Sequence, residues 1–416
     1  MVQLEEISVK KLSIMKSNIA DFLLENQLEE KDETPAVKLL YELLLCGYEN
    51  GASDIHMEPQ EEMLIVRMRV DGILTEYMRI EKEMHQSLIT CAKILAGMDI
   101  AEKRLPQDGH CKKVIRGIEM NFRASSVPTI HGEKMVLRFL NMETKVDRSE
   151  TFGMNEKNYK KILEILRRSN GIVYFTGPTG SGKTTTLYMI LEWLKKNPVN
   201  IMTIEDPVEK NIEGINQIQI NEQAGLTFEK GLRAVLRQDP DIIMVGETRD
   251  HMTARISVRA AITGHLVLST LHTRNAVGAI VRMLDMEVEP YLAGNSLGGV
   301  VAQRLARKIC PHCAREKELR KEEAKAYGLS VTTVRYGAGC EACGGTGYKG
   351  RIAIHEVIVV DKEMRKMIAE RCSEEEILEY VERTQEFCTL REEMTGLVEQ
   401  GVTTVEELVR LTYGDS

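Results

Sequence analysis

The stretch Gly171-Ile-Val-Tyr-Phe-Thr-Gly-Pro-Thr-Gly-Ser-Gly-Lys183-Thr-Thr-Thr-Leu-Tyr-Met-Ile-Leu-Glu-Trp-Leu194 decides how the chain folds. Its apolar run Ile172 to Phe175 predicts a buried strand, and the apolar-periodic segment after Lys183 predicts a helix. Between them stands G-x-x-x-x-G-K-[ST], a pattern expected by chance in roughly one chain in a hundred of this length. The glycines at 177, 180 and 182 let the backbone turn its N–H groups inward, and the helix that follows aims its positive dipole end at the same point. Such a nest holds polyphosphate. Gly177, Pro178, Thr179, Gly180, Ser181, Gly182, Lys183, Thr184 and Thr185 are therefore the candidate nucleotide-binding residues. Lys183 reaches for the β- and γ-phosphates, and the Thr184 hydroxyl for Mg²⁺.

Around that stretch lie 416 residues, more than one ordinary core, so two or three domains are expected. An apolar content of 43% with 28% charged residues suits a globular, soluble chain. The formal net charge of −8 argues against nucleic acid as the main partner, because neutralising phosphates requires a basic footprint. No segment reaches the ~18 uninterrupted apolar residues that span a bilayer, and the N-terminus is acidic and polar rather than a signal peptide. A cytoplasmic location follows as an expectation, in which the nine cysteines are thiols or metal ligands rather than disulfides.

In chain order, residues 1–33 read as a loose helical arm and 34–145 as a small α+β domain. That domain comprises a helix from Thr34 to near Gly51, strands Met63 to Val70 and Ile73 to Arg79 joined by an Asp71-Gly72 hairpin signal, a helix about Met84 to Ala96, and strand-like pieces ending at Val136 to Leu140. Polar Asn141 to Glu150 reads as a linker, and residues 146–416 as the nucleotide domain, opened by a helix from Asn155 to Arg168. Four apolar runs, Ile172 to Phe175, Ile201 to Ile204, Ile242 to Val245 and Leu266 to Leu268, alternate with helical segments. That alternation implies a parallel sheet covered on both faces, with chemical groups at the carboxyl ends of its strands.

Glu205 follows the second run, Glu247 the third and His272 the fourth. A carboxylate just past a buried strand beside a phosphate loop can hold Mg²⁺ or orient an attacking water; the alternative is a helix cap. His272 is equally well a sensing or catalytic group or a structural hydrogen-bonder. Cys310-Pro-His-Cys313 and Cys340-Glu-Ala-Cys343 are two C-x-x-C knuckles that together offer four thiolates to one Zn²⁺, redox-active pairs being the alternative. The charged piece Arg315 to Tyr327 reads as helix-like and folds back to join them. The C-terminal quarter reads as mainly helical, with capping-box signatures at Ser373/Glu376 and Thr404/Glu407.

Taken in order, the phosphate loop, Glu205-Asp-Pro-Val-Glu209, Arg237-Gln-Asp-Pro-Asp-Ile-Ile-Met-Val-Gly-Glu247-Thr-Arg-Asp250, Thr263-Gly-His-Leu-Val-Leu-Ser-Thr-Leu-His272-Thr273 and the four-cysteine module resemble the secretion ATPase superfamily over about residues 34–414. The match is best with type II secretion and type IV pilus assembly ATPases, and the cysteine module makes a pilus retraction ATPase the poorer one. The resemblance implies an α/β fold with a RecA-like P-loop NTPase domain, a PAS-like N-terminal domain and a zinc module at about 305–350. It implies a hexameric motor at the inner face of the cytoplasmic membrane that hydrolyses ATP with Mg²⁺ and pushes on an inner-membrane platform protein. By the same likeness Glu205 activates water, Glu247 is the Walker B glutamate and His272 the histidine-box residue. Arg123 and Arg138 reach the nucleotide when the domains close, and Arg233, Arg237, Arg249 and Arg282 line the site or its subunit interface. The family's additional N-terminal docking domain is absent here or reduced to the first 33 residues. Two other readings stand beside the motor: a nucleotide-gated assembly module and a DNA-translocating RecA-like ATPase.

Overall fold

The computed structural model describes residues 34–140 and 148–412. The expected arm, 1–33, and most of the expected linker lie outside the described residues. The chain divides into two compact units, Met1–Thr144 and Lys145–Ser416.

In the first unit, α1 (Pro35–Glu49) precedes β1 (Ala52–Pro59), β2 (Met63–Val70) and β3 (Ile73–Glu81), and α2 (Lys82–Leu95) leads to β4 (Gln107–Ile115), β5 (Ile118–Thr129) and β6 (Gly132–Phe139). The strands form one antiparallel sheet in the order β3-β2-β1-β6-β5-β4. Asp71 and Gly72 take φ of 49° and 84°, the left-handed pair a two-residue hairpin needs if its twist is to match its strands. Alternation along β6 sends Met135 and Leu137 inward, where Leu39, Leu43 and Leu44 of α1 and Leu88 and Ile89 of α2 cover them in one buried cluster. Each such side chain contributes about 1.5–3 kcal/mol on burial. The uncovered face is charged: exposed Arg123 and Arg138 are opposite each other across β5 and β6, and Arg138 donates to Asp54 of β1 at 2.7 Å.

The second unit runs α3 (Glu156–Leu166), β7 (Gly171–Thr176), α4 (Lys183–Leu194), β8 (Ile201–Glu205), β9 (Asn216–Gln219), α5 (Phe228–Val235), β10 (Ile242–Val245), α6 (His251–Ile262) and β11 (Leu266–Leu271). It continues through α7 (Ala276–Asp285), α8 (Pro290–Ser296), β12 (Leu297–Ile309), β13 (Ala314–Glu318), α9 (Lys321–Tyr327), β14 (Thr333–Gly337) and β15 (Tyr348–Val359) to α10 (Lys362–Ala369), α11 (Glu374–Thr384), α12 (Leu390–Glu399) and α13 (Val405–Thr412). Seven strands form a sheet in the order β15-β12-β7-β11-β10-β8-β9, parallel except for β15. Strands β7, β8, β10 and β11 are buried at every position, as a sheet covered on both faces requires. Ile243, Val245 and Val267 lie in the cluster that also holds Leu232, Ala254, Ile280 and Met364, while Val173, Phe175 and Leu268 lie in the one that holds Ile162, Leu187 and Leu191.

Two expectations are corrected. Strand β11 runs three residues past Leu268, to Leu271, which puts His272 directly at its end. The piece Arg315 to Tyr327 is helical only from Lys321; its first part is β13, paired antiparallel with β14, because the two knuckles are brought together by a ribbon rather than by a helix. The C-terminal quarter is mainly helical as expected, with β15 as its one long strand; the apolar runs of β15 and of β12, which precedes that quarter, are broken by Gln303, Arg304, His355 and Glu356, all buried. The Ser373/Glu376 capping box is present. At Thr404 only half of one forms: its hydroxyl accepts from Glu407 N at 3.1 Å, but the Glu407 carboxylate turns to Arg307 and Arg410.

Candidate nucleotide site and metal centre

Strand β7 sits between β12 and β11, and its carboxyl end delivers the loop. A Cβ on Gly177 would stand 2.4 Å from the carbonyl oxygen of Gln303, and one on Gly182 2.9 Å from Gln303 Nε2. Glycine is required there by the close approach of β12 as well as by left-handed φ values of 148° and 86°. Gln303 Nε2 donates to Ser181 O at 2.9 Å and fixes the loop against the strand. Lys183 Nζ donates to Gly177 O at 2.6 Å and Pro178 O at 3.1 Å, while Pro178, Thr179 and Gly180 form the exposed tip. Burial and then the Arg304 cation push the Lys183 ammonium down to about 8, with Glu247 opposing. Phosphate oxygens would supply the counter-charge that this buried cation needs.

Strands β8 and β10 are neighbours with Ile204 opposite Val245, so Glu205 and Glu247 leave the sheet side by side. Gly246 permits this, since a Cβ there would lie 3.2 Å from Ile204 O. The two carboxylates then differ. Glu205 is buried, and its oxygens accept from the Tyr188 hydroxyl, the Thr203 hydroxyl and Gln217 Nε2, the last at 3.0 Å. Glu247 lies 2.6 Å from Arg249 Nε and 3.9 Å from His272 Nε2, and its charge acts on Lys183. Neither caps a helix; Asp250 does so for α6, accepting from Thr253 N at 2.8 Å. His272 is half exposed, and burial together with the Lys183 cation lowers its pKa, which leaves a neutral imidazole at neutral pH. Thr184 and Thr185 follow Lys183 on the first turn of α4. The Thr184 hydroxyl and the Glu205 and Glu247 carboxylates are hard oxygen donors of the kind that suits Mg²⁺.

The arginines are dispersed. Arg123 and Arg138 belong to the first unit. Arg233 bonds Glu229 at 3.0 Å, and Arg237 donates to Arg233 O at 2.7 Å, where α5 descends to the start of β10. They lie at the end of the sheet opposite their own phosphate loop. Arg282 is exposed on the last turn of α7. Three groups at the site escape sequence reasoning: Tyr188, Gln303 and Arg304. Two charged or polar residues inside the otherwise apolar run of β12 were the available signal, since buried polar side chains in a strand need partners.

The cysteine module has the geometry of a metal centre. Cys310, Cys313, Cys340 and Cys343 place their sulfurs within 4.8 Å of one another. Separations of 3.9 Å for Cys310 to Cys340, 3.9 Å for Cys313 to Cys343 and 3.8 Å for Cys340 to Cys343 approach the about 3.8 Å between thiolates around a tetrahedral zinc. Burial alone would raise Cys343, but N–H donors from Cys340 and Gly347 outweigh it and hold the thiol at about 6. Backbone bonds Ala338 N to Cys313 O and Cys310 N to Gly347 O, each 2.9 Å, tie the knuckles together.

A phosphate loop at the end of a central parallel strand, with a carboxylate and a histidine from the next strands beside it, defines a P-loop ATPase. The chain belongs to the type II/IV secretion system protein family, whose sequence profile matches residues 29–410. It is 44% identical over 393 residues to type II secretion system protein E of Pseudomonas aeruginosa, covering 93% of this chain and 78% of that one. It is 43% identical over 392 residues to type II secretion system ATPase E of Vibrio cholerae, covering 93% and 77%. Identity to type IV pilus assembly ATPase PilB of Thermus thermophilus is 44% over 408 residues, 95% of this chain but 46% of the relative. Among solved structures, the pilus retraction motor PilT with bound ADP aligns with a TM-score of 0.62 at 26% identity over 89% of this chain and 96% of that one. The Legionella pneumophila ATPase DotB shares the fold, with a TM-score of 0.67 at 22% identity over 93% and 98%. Among the described residues no helix is long and apolar enough to cross a membrane.

Proposed function

We propose that this ATP hydrolase works as a homo-hexameric motor at the cytoplasmic face of the inner membrane, where it drives assembly of a type IV pilus or a type II secretion pseudopilus. The convergence of Lys183, Glu247 and His272 at the phosphate loop carries the proposal, because hydrolysis rather than mere binding calls for charge and water-orienting groups beyond the loop. Lys183 and the loop amides bind the β- and γ-phosphates; Thr184, with carboxylate support, holds Mg²⁺, which supplies charge neutralisation across the phosphates. Glu247, facing the loop, accepts a hydrogen bond from the attacking water. His272 and Arg249 hold that carboxylate in place. Glu205, fixed by Tyr188, Thr203 and Gln217, supports the water and metal shell from β8. Arg123 and Arg138, and from a neighbouring subunit Arg233 and Arg237, add cations to the developing charge. The four cysteines hold one Zn²⁺, which fixes residues 305–350.

The reading is tested by steady-state ATP turnover of the full chain with and without the cytoplasmic part of an inner-membrane platform protein. A motor is stimulated by that partner; a module whose slow hydrolysis only resets binding is not.

A further inference from the structure

Strand β12 carries a buried cation whose neighbours lie in two directions. Arg304 is 6% exposed. Toward the loop, its Nη1 lies 3.2 Å from where a Cβ of Gly177 would stand, and its charge reaches Lys183. Away from the loop, its Nη2 donates to Arg274 O at 2.7 Å. Arg304 is opposite Ile354 and Ala302 opposite Glu356 in the antiparallel pair of β12 and β15, so Glu356 is the diagonal neighbour of Arg304 on the same face of the sheet, within reach of its charge. Glu356 is buried, and each of its oxygens accepts a helix N-terminus: Oε2 from Ala276 N at 3.1 Å, where α7 begins, and Oε1 from Leu390 N at 2.9 Å, where α12 begins. Burial pushes this carboxyl up, but two accepted N–H bonds and a guanidinium are the surroundings of the ionised form.

We propose that Arg304 is a positioning residue that senses the phosphates of the bound nucleotide and transmits their presence through Glu356 to α7 and α12. The inference rests on nucleotide occupying the loop. A guanidinium between a phosphate and a carboxylate divides its attraction between them, so each phosphate charge that arrives weakens its hold on Glu356. The carboxylate then leans harder on the two helix N-termini, which differ in what they carry. Helix α7 starts just after Thr273, whose N–H reaches Thr176 Oγ1 at 2.8 Å beside the loop. Helix α12 carries Glu393, which accepts from His355 N at 2.6 Å and from Asn155 Nδ2 at 2.9 Å. Asn155 is the N-cap of α3, the first long helix after the inter-unit segment. A change at the phosphates thus has a polar route of a few side chains, through Arg304, Glu356, the start of α12, Glu393 and Asn155, to the entry of the second unit.

The test is amide hydrogen exchange of the full-length protein with and without saturating ADP, together with ADP affinity. In the wild type, ADP should change exchange at residues 276–279 and 390–393 by about fivefold or more, the size of an ordinary coupling between sites. Arg304→Gln, saturated with ADP, should lose the change at 390–393, and Arg304→Lys should keep part of it. Glu356→Gln should bind ADP about fivefold more tightly, because Arg304 is no longer shared, whereas mere structural damage would weaken binding. ADP that binds the wild type yet leaves 390–393 unchanged overturns the inference, as does weaker ADP binding by a folded Glu356→Gln; should that variant not fold, the wild-type exchange decides alone. Failure of ADP to bind the wild type at all overturns the reading of the loop itself.

Discussion

Lys183 is held by two loop carbonyls and kept at about 8 by burial and Arg304, so the empty site holds its proton loosely. Phosphate oxygens raise that value. Binding therefore takes up a proton where the empty site has lost one, and ADP affinity should fall as pH rises above about 8, by up to tenfold per unit. Calorimetry at about pH 8.5 in buffers of different ionisation enthalpy reads the uptake directly; a heat independent of buffer would refute it. Lys183→Ala should abolish turnover and much of the affinity. The two glutamates should separate. Glu247→Gln faces the loop and should keep nucleotide binding while losing about 10²-fold or more in rate. Glu205→Gln disturbs a buried set of Tyr188, Thr203 and Gln217, and should lower both the rate and the melting temperature. Equal melting temperatures for the two variants would contradict the difference in their surroundings.

Among elements, the ribbon β13–β14 and the short turn at Cys340 have little apolar core of their own: every residue of β13 is exposed. Four sulfurs at zinc spacing would supply, through one bound metal, what packing does not. One zinc per chain is expected in protein purified without chelator, and its removal should raise exchange over residues 305–350 while the phosphate loop stays as it was. Cys343→Ser should do the same, since that sulfur also receives the Cys340 and Gly347 N–H groups at 3.2 Å. Elemental analysis without stoichiometric zinc would remove the metal from the description.

For the whole molecule, the decisive facts are distances along the sheet. Arg233 on the last turn of α5 and Arg237 just after it precede the amino end of β10, whereas the phosphate loop follows the carboxyl end of β7, so in the proposed ring they would meet a neighbour's nucleotide. Specific ATPase activity should then rise with protein concentration as rings form, followed by light scattering in parallel. Arg237→Ala and Lys183→Ala subunits, each inactive alone, should regain turnover when mixed, because in the proposed ring an intact loop would meet an intact arginine across one interface. Mixtures as inactive as their components, or a concentration-independent rate, would place the arginines outside the chemistry. Arg123→Ala should bind ADP normally and turn over slowly if the first unit contributes to closure.

What the sequence determined by itself is whatever is written locally along the chain. Strand, glycine loop and helix from Gly171 to Leu194 are adjacent in sequence, the polar groups after Glu205, Glu247 and Leu271 fall where buried runs end, and each C-x-x-C knuckle is four residues long. Backbone sterics and hydrophobic periodicity suffice to read such features. Tertiary structure alone decided which distant residues meet them. Gln303 holds Ser181 from 122 residues away, and the two β12 side chains that press on the loop look, in sequence, like flaws in an apolar strand. The same holds for the ribbon between the knuckles, whose charged, exposed residues carry no period and whose form is set by the need to bring four sulfurs together. Glu205 and Glu247 are equivalent in the sequence because both are acids after strands. They differ in the fold because only one of them has Tyr188, Thr203 and Gln217 packed around it, and those contacts depend on the order of strands across the sheet.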